Sequence, residues 1–205
     1  LKKLLLTLIV LILLLPYQQI NAESESPDIT AGAALLMDSK TSKILYSKNE
    51  NEKMYPASTT KIMTAILTIE NCNLDDVVTV PYEAISNIPS GYSVAPLQTD
   101  EQITVDQLLR VLMVHSANDA ANALAYHIDG SIPAFAERMN AKLNALGLKD
   151  SHFTNPSGQH DTNHYSTAHD IAILLQYCMK NTTFKRLLVK ILAAVTAISC
   201  FAAVG

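Results

Sequence analysis

Pro56-Ala57-Ser58-Thr59-Thr60-Lys61 opens the run Ile62-Met63-Thr64-Ala65-Ile66-Leu67-Thr68-Ile69-Glu70, and the reading of this stretch decides the rest. Apolar residues at 62, 63, 66, 67 and 69 recur with a helical period, which predicts a buried helix with Ser58 and Lys61 in its first turn. Residues three apart share a helix face, so Ser58 Oγ falls within reach of Lys61 Nζ. A neutral lysine so placed can take the proton of a serine hydroxyl, and a helix N-terminus favours the negative charge that develops. The plainer reading is a serine N-cap beside an unrelated lysine, since Ser-x-x-Lys arises by chance about once in a chain of this composition. Lys61 weighs against it, because a cation in the first turn opposes the helix dipole unless something there uses it.

A second polar cluster lies downstream. Thr104-Val105-Asp106-Gln107 is a capping box, and Leu108, Leu109, Leu112 and Met113 supply the buried stripe of the helix it opens. That helix runs into His115-Ser116-Ala117-Asn118-Asp119-Ala120, after which an Ala-rich helix continues from Ala120 to His127. Polar groups buried between two apolar runs without partners cost ~1–3 kcal/mol each, so the cluster is either a helix junction with a Ser or Asn cap or a site. As a site, Ser116 could relay a proton to a leaving amine and Asn118 could bond a substrate amide.

Around these stretches the chain reads as one domain. Thr30 to Met37 and Lys43 to Ser47, joined by the polar turn Asp38 to Ser42, form a β-hairpin that needs strands or helices to cover its apolar side. Val77 to Val80 is a short strand and Pro81 to Ser86 a turn of helix; Ile88 to Glu101, with Pro89, Gly91 and Pro96, is a loop that could line a cleft. Pro133 to Leu146 is an amphipathic helix with Phe135, Met139 and Leu143 on one face and Gly147 as its C-cap. Leu148 to Gly158 is irregular; Thr167 then caps a helix whose stripe is Ile171, Leu174, Leu175 and Cys178.

Leu1-Lys2-Lys3, the apolar run Leu4 to Leu15 and the small residues before Glu23 have the layout of a secretory signal peptide, with cleavage expected after Ala22. The apolar run is short for a membrane span, the alternative being a retained anchor; either way the remainder works outside the cytoplasm. Removing Lys2 and Lys3 with this segment takes the formal charge from −4 to −6. With no basic block or stripe, nucleic acid is not an expected partner. Cys72, Cys178 and Cys200 are too few and scattered for a disulfide framework, and a Cys72 to Cys178 bridge is weighed against two buried structural thiols. His160, His164 and His169 are close in sequence, but 164 and 169 lack helical i, i+4 spacing; neither a metal nor a cofactor is expected.

Ser58-Thr-Thr-Lys61 followed by Ser116-Ala-Asn118 resembles the paired motifs of penicillin-binding proteins and class A β-lactamases. More specifically, Tyr55 to Ala65, His115 to Ala120, Leu146 to Gly158 and His164 to Asp170 resemble, in order, the serine-type D-alanyl-D-alanine carboxypeptidases, the low-molecular-weight penicillin-binding proteins of bacteria. The likeness runs from about residue 28 to residue 180. It implies an α+β fold of the DD-peptidase/β-lactamase type, a helical region plus an antiparallel sheet. It also implies that Ser58 attacks the carbonyl between the terminal D-alanines of a peptidoglycan stem peptide and that water hydrolyses the acyl-enzyme. Lys61 would be the proton acceptor, Ser116 the second catalytic residue and Asn118 a substrate-binding residue; β-lactams would acylate Ser58 too. A class A β-lactamase, which deacylates through a glutamate, is less well matched: the acids after residue 120 that could serve are Asp129, Glu137, Asp150 and Asp161, and Glu137 lies in an amphipathic helix.

The family's third motif, Lys-Thr-Gly or Lys-Ser-Gly, is missing, since none of Lys142, Lys149, Lys180, Lys185 and Lys190 is followed by it. In the family that motif lies on a strand that holds the substrate carboxylate and supplies one oxyanion-hole N–H, and removing one such donor costs ~2.7–4 kcal/mol in the barrier. The expected organisation is thus a signal peptide over 1–22, the N-terminal and helical part of a DD-peptidase catalytic domain over 23–183 without the C-terminal strands of the sheet, and an apolar tail over 184–205. The N- or C-terminal apolar segment could associate with a membrane. A catalytically incomplete remnant or penicillin-binding module stands as the alternative function.

Overall fold

The computed structural model describes residues 28–189. The expected signal peptide and most of the apolar tail therefore lie outside the described residues.

The hairpin forms as strand β1 (Ala34–Met37) paired antiparallel with β2 (Ile44–Lys48). The Asp38 carboxylate sets its turn by accepting from the Lys40 and Thr41 N–H groups and the Thr41 hydroxyl, bonds that hold its pKa below the usual carboxylate value. Strands β3 (Val77–Thr79) and β4 (Gln102–Thr104) make a second antiparallel pair. Between them lie the short helix α2 (Tyr82–Ser86) and the loop over 88–101.

Helix α1 (Lys61–Asn71) is the hub. It packs against α3 (Val105–Val114), α4 (Asn118–Asp129), α5 (Ile132–Leu146) and α6 (Ala168–Cys178). Met63, Ile66 and Leu67 are buried at its centre, where they meet Leu108, Leu109 and Leu112 of α3, Leu124 of α4, Phe135 and Met139 of α5 and Leu174 of α6 in one core. The helix boundaries have the chemistry expected of them. Thr104 and Gln107 form the reciprocal capping box, Thr167 accepts from the Asp170 N–H, and Gly147 takes the left-handed C-cap at φ 74° that a side chain would resist.

Three details depart from expectation. Ser58 is not in the first turn of α1 but in a 3-10 turn, Ala57–Thr60, that leads into it. Asn118 and Asp119 are not a junction before α4 but its first two residues. Leu175 is not in the core but 36% exposed, lining a groove of about 400 Å³ with Leu35 of β1 and with Met54, Pro56 and Thr59. Helix α6 covers one side of β1, as the hairpin needed, while Leu36 and Leu45 stay exposed. The core also continues past residue 183, because Phe184 and Leu187, within a helical stretch over 182–189, are buried in it. Cys72 and Cys178 are free thiols rather than a bridge; burial pushes the Cys178 thiol up to about 12. Among the described residues no helix is long and apolar enough to cross a membrane.

Candidate active site

The backbone brings two strained turns face to face. Ala57 takes φ 47° immediately before Ser58, and Ser116 itself takes φ 55°. Each left-handed non-glycine residue costs on the order of 1–3 kcal/mol and persists where the surroundings fix it, often at a site. Here the two turns place the Ser116 hydroxyl 2.8 Å from Ser58 Oγ, to which it donates.

Lys61 reaches the same point from the start of α1. Its Nζ lies 3.4 Å from Ser58 Oγ, 2.7 Å from Asn118 Oδ1 and 2.6 Å from the Ser157 carbonyl oxygen. Ser58, Lys61, Ser116 and Asn118, named from the sequence, thus share one cluster. Lys61 is only 3% exposed, and among the described residues its amine has no carboxylate partner. Burial without a counter-charge disfavours the ammonium, and the pKa falls from 10.5 to about 8.

The surroundings hold this cluster from two sides. The loop over 88–101 docks on the second motif: Asp119 accepts from the Ala95 and Leu97 N–H groups, Asn118 N–H donates to the Ser93 carbonyl, and Ser93 Oγ donates to the His115 carbonyl. Asp119 is 1% exposed, so its cost of burial is met by backbone donors rather than by a cation. On the other side, Asn155 Oδ1 accepts from the N–H groups of Ser157, Gly158 and Gln159 and shapes the loop that presents the Ser157 carbonyl. Thr64, one turn along α1 from Lys61, donates to the Pro156 carbonyl and ties that loop to the helix.

Sequence reasoning missed the role of the Ser157 carbonyl and the residues behind it, although the stretch that ends in Pro156-Ser157-Gly158 stood out as irregular and as family-like. Gly158 carries that signal physically: at φ 81° it passes so close to Ala57 that an added Cβ would sit 1.8 Å from the Ala57 carbonyl oxygen. Among the described residues, none of the carboxylates considered for a β-lactamase base is bonded to Ser58 or to Lys61. Asp129 pairs with Arg138 at 2.6 Å, Asp150 with Lys53 at 3.6 Å, Asp161 accepts from the Asn163 N–H, and Glu137 is exposed on α5.

A serine in contact with a buried, uncompensated lysine and a second serine can be deprotonated and can pass its proton onward. Comparison with known proteins agrees in family. Residues 20–197 match the profile of the D-alanyl-D-alanine carboxypeptidase family. The chain is 37% identical over 190 residues to D-alanyl-D-alanine carboxypeptidase DacF of Bacillus subtilis, covering 87% of this chain and 48% of that one. It is 40% identical over 154 residues to DacA of Haemophilus influenzae, covering 72% and 39%. Among solved structures, penicillin-binding protein 5 of Haemophilus influenzae superposes with a TM-score of 0.72 at 36% identity, over 77% of this chain and 47% of that chain. A mutant of the Streptomyces K15 DD-transpeptidase gives 0.75 at 34% identity, over 78% and 65%. The chain thus spans about half or less of the length of these curated relatives, and over that span it belongs to the D-alanyl-D-alanine carboxypeptidase family of serine peptidases.

Proposed function

We propose that the chain carries the acyl-transfer centre of a serine-type D-Ala-D-Ala carboxypeptidase acting outside the bacterial cytoplasm on peptidoglycan stem peptides. The observation that carries this reading is the amine of Lys61, buried with no acid partner among the described residues, 3.4 Å from Ser58 Oγ. With a pKa of about 8, holding the amine neutral at pH 7 costs about 1.4 kcal/mol, against about 4.8 kcal/mol at its ordinary value.

In this reading neutral Lys61 takes the Ser58 proton as Oγ attacks the carbonyl of the penultimate D-alanine. The tetrahedral intermediate then expels the amine of the terminal D-alanine. Ser116, bonded to Ser58 Oγ, is placed to hand the departing amine a proton that Lys61 replaces. Water, deprotonated by the same lysine, then opens the Ser58 ester and releases the shortened peptide. Asn118 holds Lys61 through Oδ1, which leaves its amide N–H groups to meet a substrate carbonyl. β-Lactams, which carry a strained acyl group of similar shape, acylate Ser58 by the first step alone. Export by a signal peptide over 1–22 puts this chemistry where peptidoglycan is.

A second reading, a penicillin-binding module without turnover, is tested by the same experiment as the first. Incubation of the purified chain with a fluorescent penicillin separates the readings from each other and from neither. A covalent label lost in Ser58→Ala, together with release of D-alanine from a peptide ending in D-Ala-D-Ala, supports the enzyme. The label without D-alanine release supports the module, and absence of any label refutes the acyl-transfer centre.

A further inference from the structure

His164 plays no part in the chemistry above, yet it is 2% exposed and bonded at both ring nitrogens. Nδ1 lies 3.1 Å from the Thr154 backbone nitrogen, with Thr154 Oγ1 and Asn155 Nδ2 each at 3.3 Å. A backbone N–H can only donate, so Nδ1 accepts and the ring proton sits on Nε2, which donates to Thr60 Oγ1 at 2.8 Å. The ring stacks on Phe153 with centroids 5.1 Å apart.

Its two partners belong to the two halves of the lysine's cradle. Thr60 ends the 3-10 turn that carries Ser58, and Thr154 begins the loop that presents the Ser157 carbonyl to Lys61 Nζ. Those halves are already in close contact, since Gly158 passes against Ala57 and Thr60. We infer that His164 is a positioning residue: its neutral ring clasps the Ser58 turn to the 154–158 loop and thereby fixes Lys61 Nζ against Ser58 Oγ. The Thr64 hydroxyl, bonded to the Pro156 carbonyl, anchors the loop to α1 one turn beyond Lys61, whereas His164 bonds the turn itself through the Thr60 side chain. The clasp needs the neutral ring, because a proton on Nδ1 would face the Thr154 N–H. Burial is the chief reason the His164 pKa drops to about 4, opposed by the charge of Asp161 and helped by His152. The clasp therefore holds at every pH where the lysine could act as a base.

The inference rests on the reading of Ser58 and Lys61 as an acyl-transfer pair, and its test is chosen to survive that reading's failure. Lys61 is titrated by NMR in the full chain carrying ε-¹³C-lysine, alongside the rate of acylation by a fluorescent penicillin. In His164→Leu, which fills the space beside Phe153 but bonds to neither segment, the Lys61 titration moves up from about 8 toward its ordinary 10.5 as water enters. The acylation rate falls about 10- to 100-fold, as expected for misplacement of a reacting group by up to 1 Å. Thr60→Val, which cuts one arm of the clasp, moves both readouts the same way. His164→Gln, which restores a donor toward Thr60, recovers both. A merely structural histidine predicts otherwise: His164→Leu and Thr60→Val would lower the denaturation midpoint with Lys61 titrating as in the parent, and that result overturns the inference. Should the parent chain not react with penicillin, the acyl-transfer reading fails, while the lysine titration still decides whether His164 positions it.

Discussion

Replacing Gly158 with alanine probes the contact on which the site's geometry turns. An alanine Cβ at residue 158 would lie 1.8 Å from the Ala57 carbonyl oxygen and 3.0 Å from Thr60 Oγ1. Real Cβ contacts stay beyond 3.0 Å, so the loop and the Ser58 turn must part from 1.8 to at least 3.0 Å, and both sides of the contact are backbone. The left-handed φ of 81° adds roughly 1–2 kcal/mol for any side chain. The separation draws the adjacent Ser157 carbonyl away from Lys61 Nζ. We expect a loss of about 2–4 kcal/mol in urea denaturation and about a 100-fold lower rate of acylation by penicillin. Gly91→Ala is the control. Its φ of 91° is also left-handed, but nothing lies within 4 Å of the added Cβ, so it costs only about 1–2 kcal/mol and leaves the rate unchanged. A Gly158→Ala chain with the parent's denaturation midpoint and acylation rate would refute the claim that these two segments are held in register by their close approach.

Three further perturbations have defined outcomes. Asn118→Asp puts a carboxylate at the atom now 2.7 Å from Lys61 Nζ, which raises the lysine pKa and should cut acylation at pH 7 about 10- to 1,000-fold while moving its optimum to alkaline pH. Asp119→Asn replaces one of two acceptor oxygens with an NH2 donor, which must then face either the Leu97 or the Ala120 N–H, and unfolding should become easier by about 1–3 kcal/mol in urea. Lys61→Met tests linkage: the folded chain releases the Lys61 proton near pH 8 and the unfolded chain near 10.5, so the unfolded state binds more protons between those values. Stability of the parent relative to Lys61→Met should therefore rise with pH across that window, by about 3 kcal/mol, and be flat below it.

How much of this was legible in the chain depends on whether a residue's role lives in its side chain. The three-residue spacing of Ser58 and Lys61 and the apolar period after it located the hub helix, and the Thr104 and Thr167 caps located two more. The difference at Ser58, a 3-10 turn rather than the helix proper, arises because the spacing of three serves both geometries and only the left-handed Ala57 distinguishes them. Ser116 and Asn118 stood out as polar residues between apolar runs, yet a helix junction would look the same in sequence. The Ser157 oxygen could not be read at all. It is a backbone carbonyl, and its place depends on Asn155 gathering three N–H groups and on the space left by Gly158. His164 was read as a metal ligand without the right spacing and as the start of a family-like stretch, and neither reading points to its partners, Thr60 and Thr154, 104 and 10 residues away. Leu175 fitted the helical stripe of α6, but the stripe is wider than the face that α1 covers, and its edge turns toward β1 instead.

The most direct test of the account is the rate at which penicillin modifies Ser58 as a function of pH, followed by intact mass and by mapping of the labelled peptide. If the amine of Lys61 is the base, the adduct forms on Ser58 and its rate rises with pH through a midpoint near 8. A rate indifferent to pH between 6 and 10, or an adduct that persists in Ser58→Ala, would contradict it.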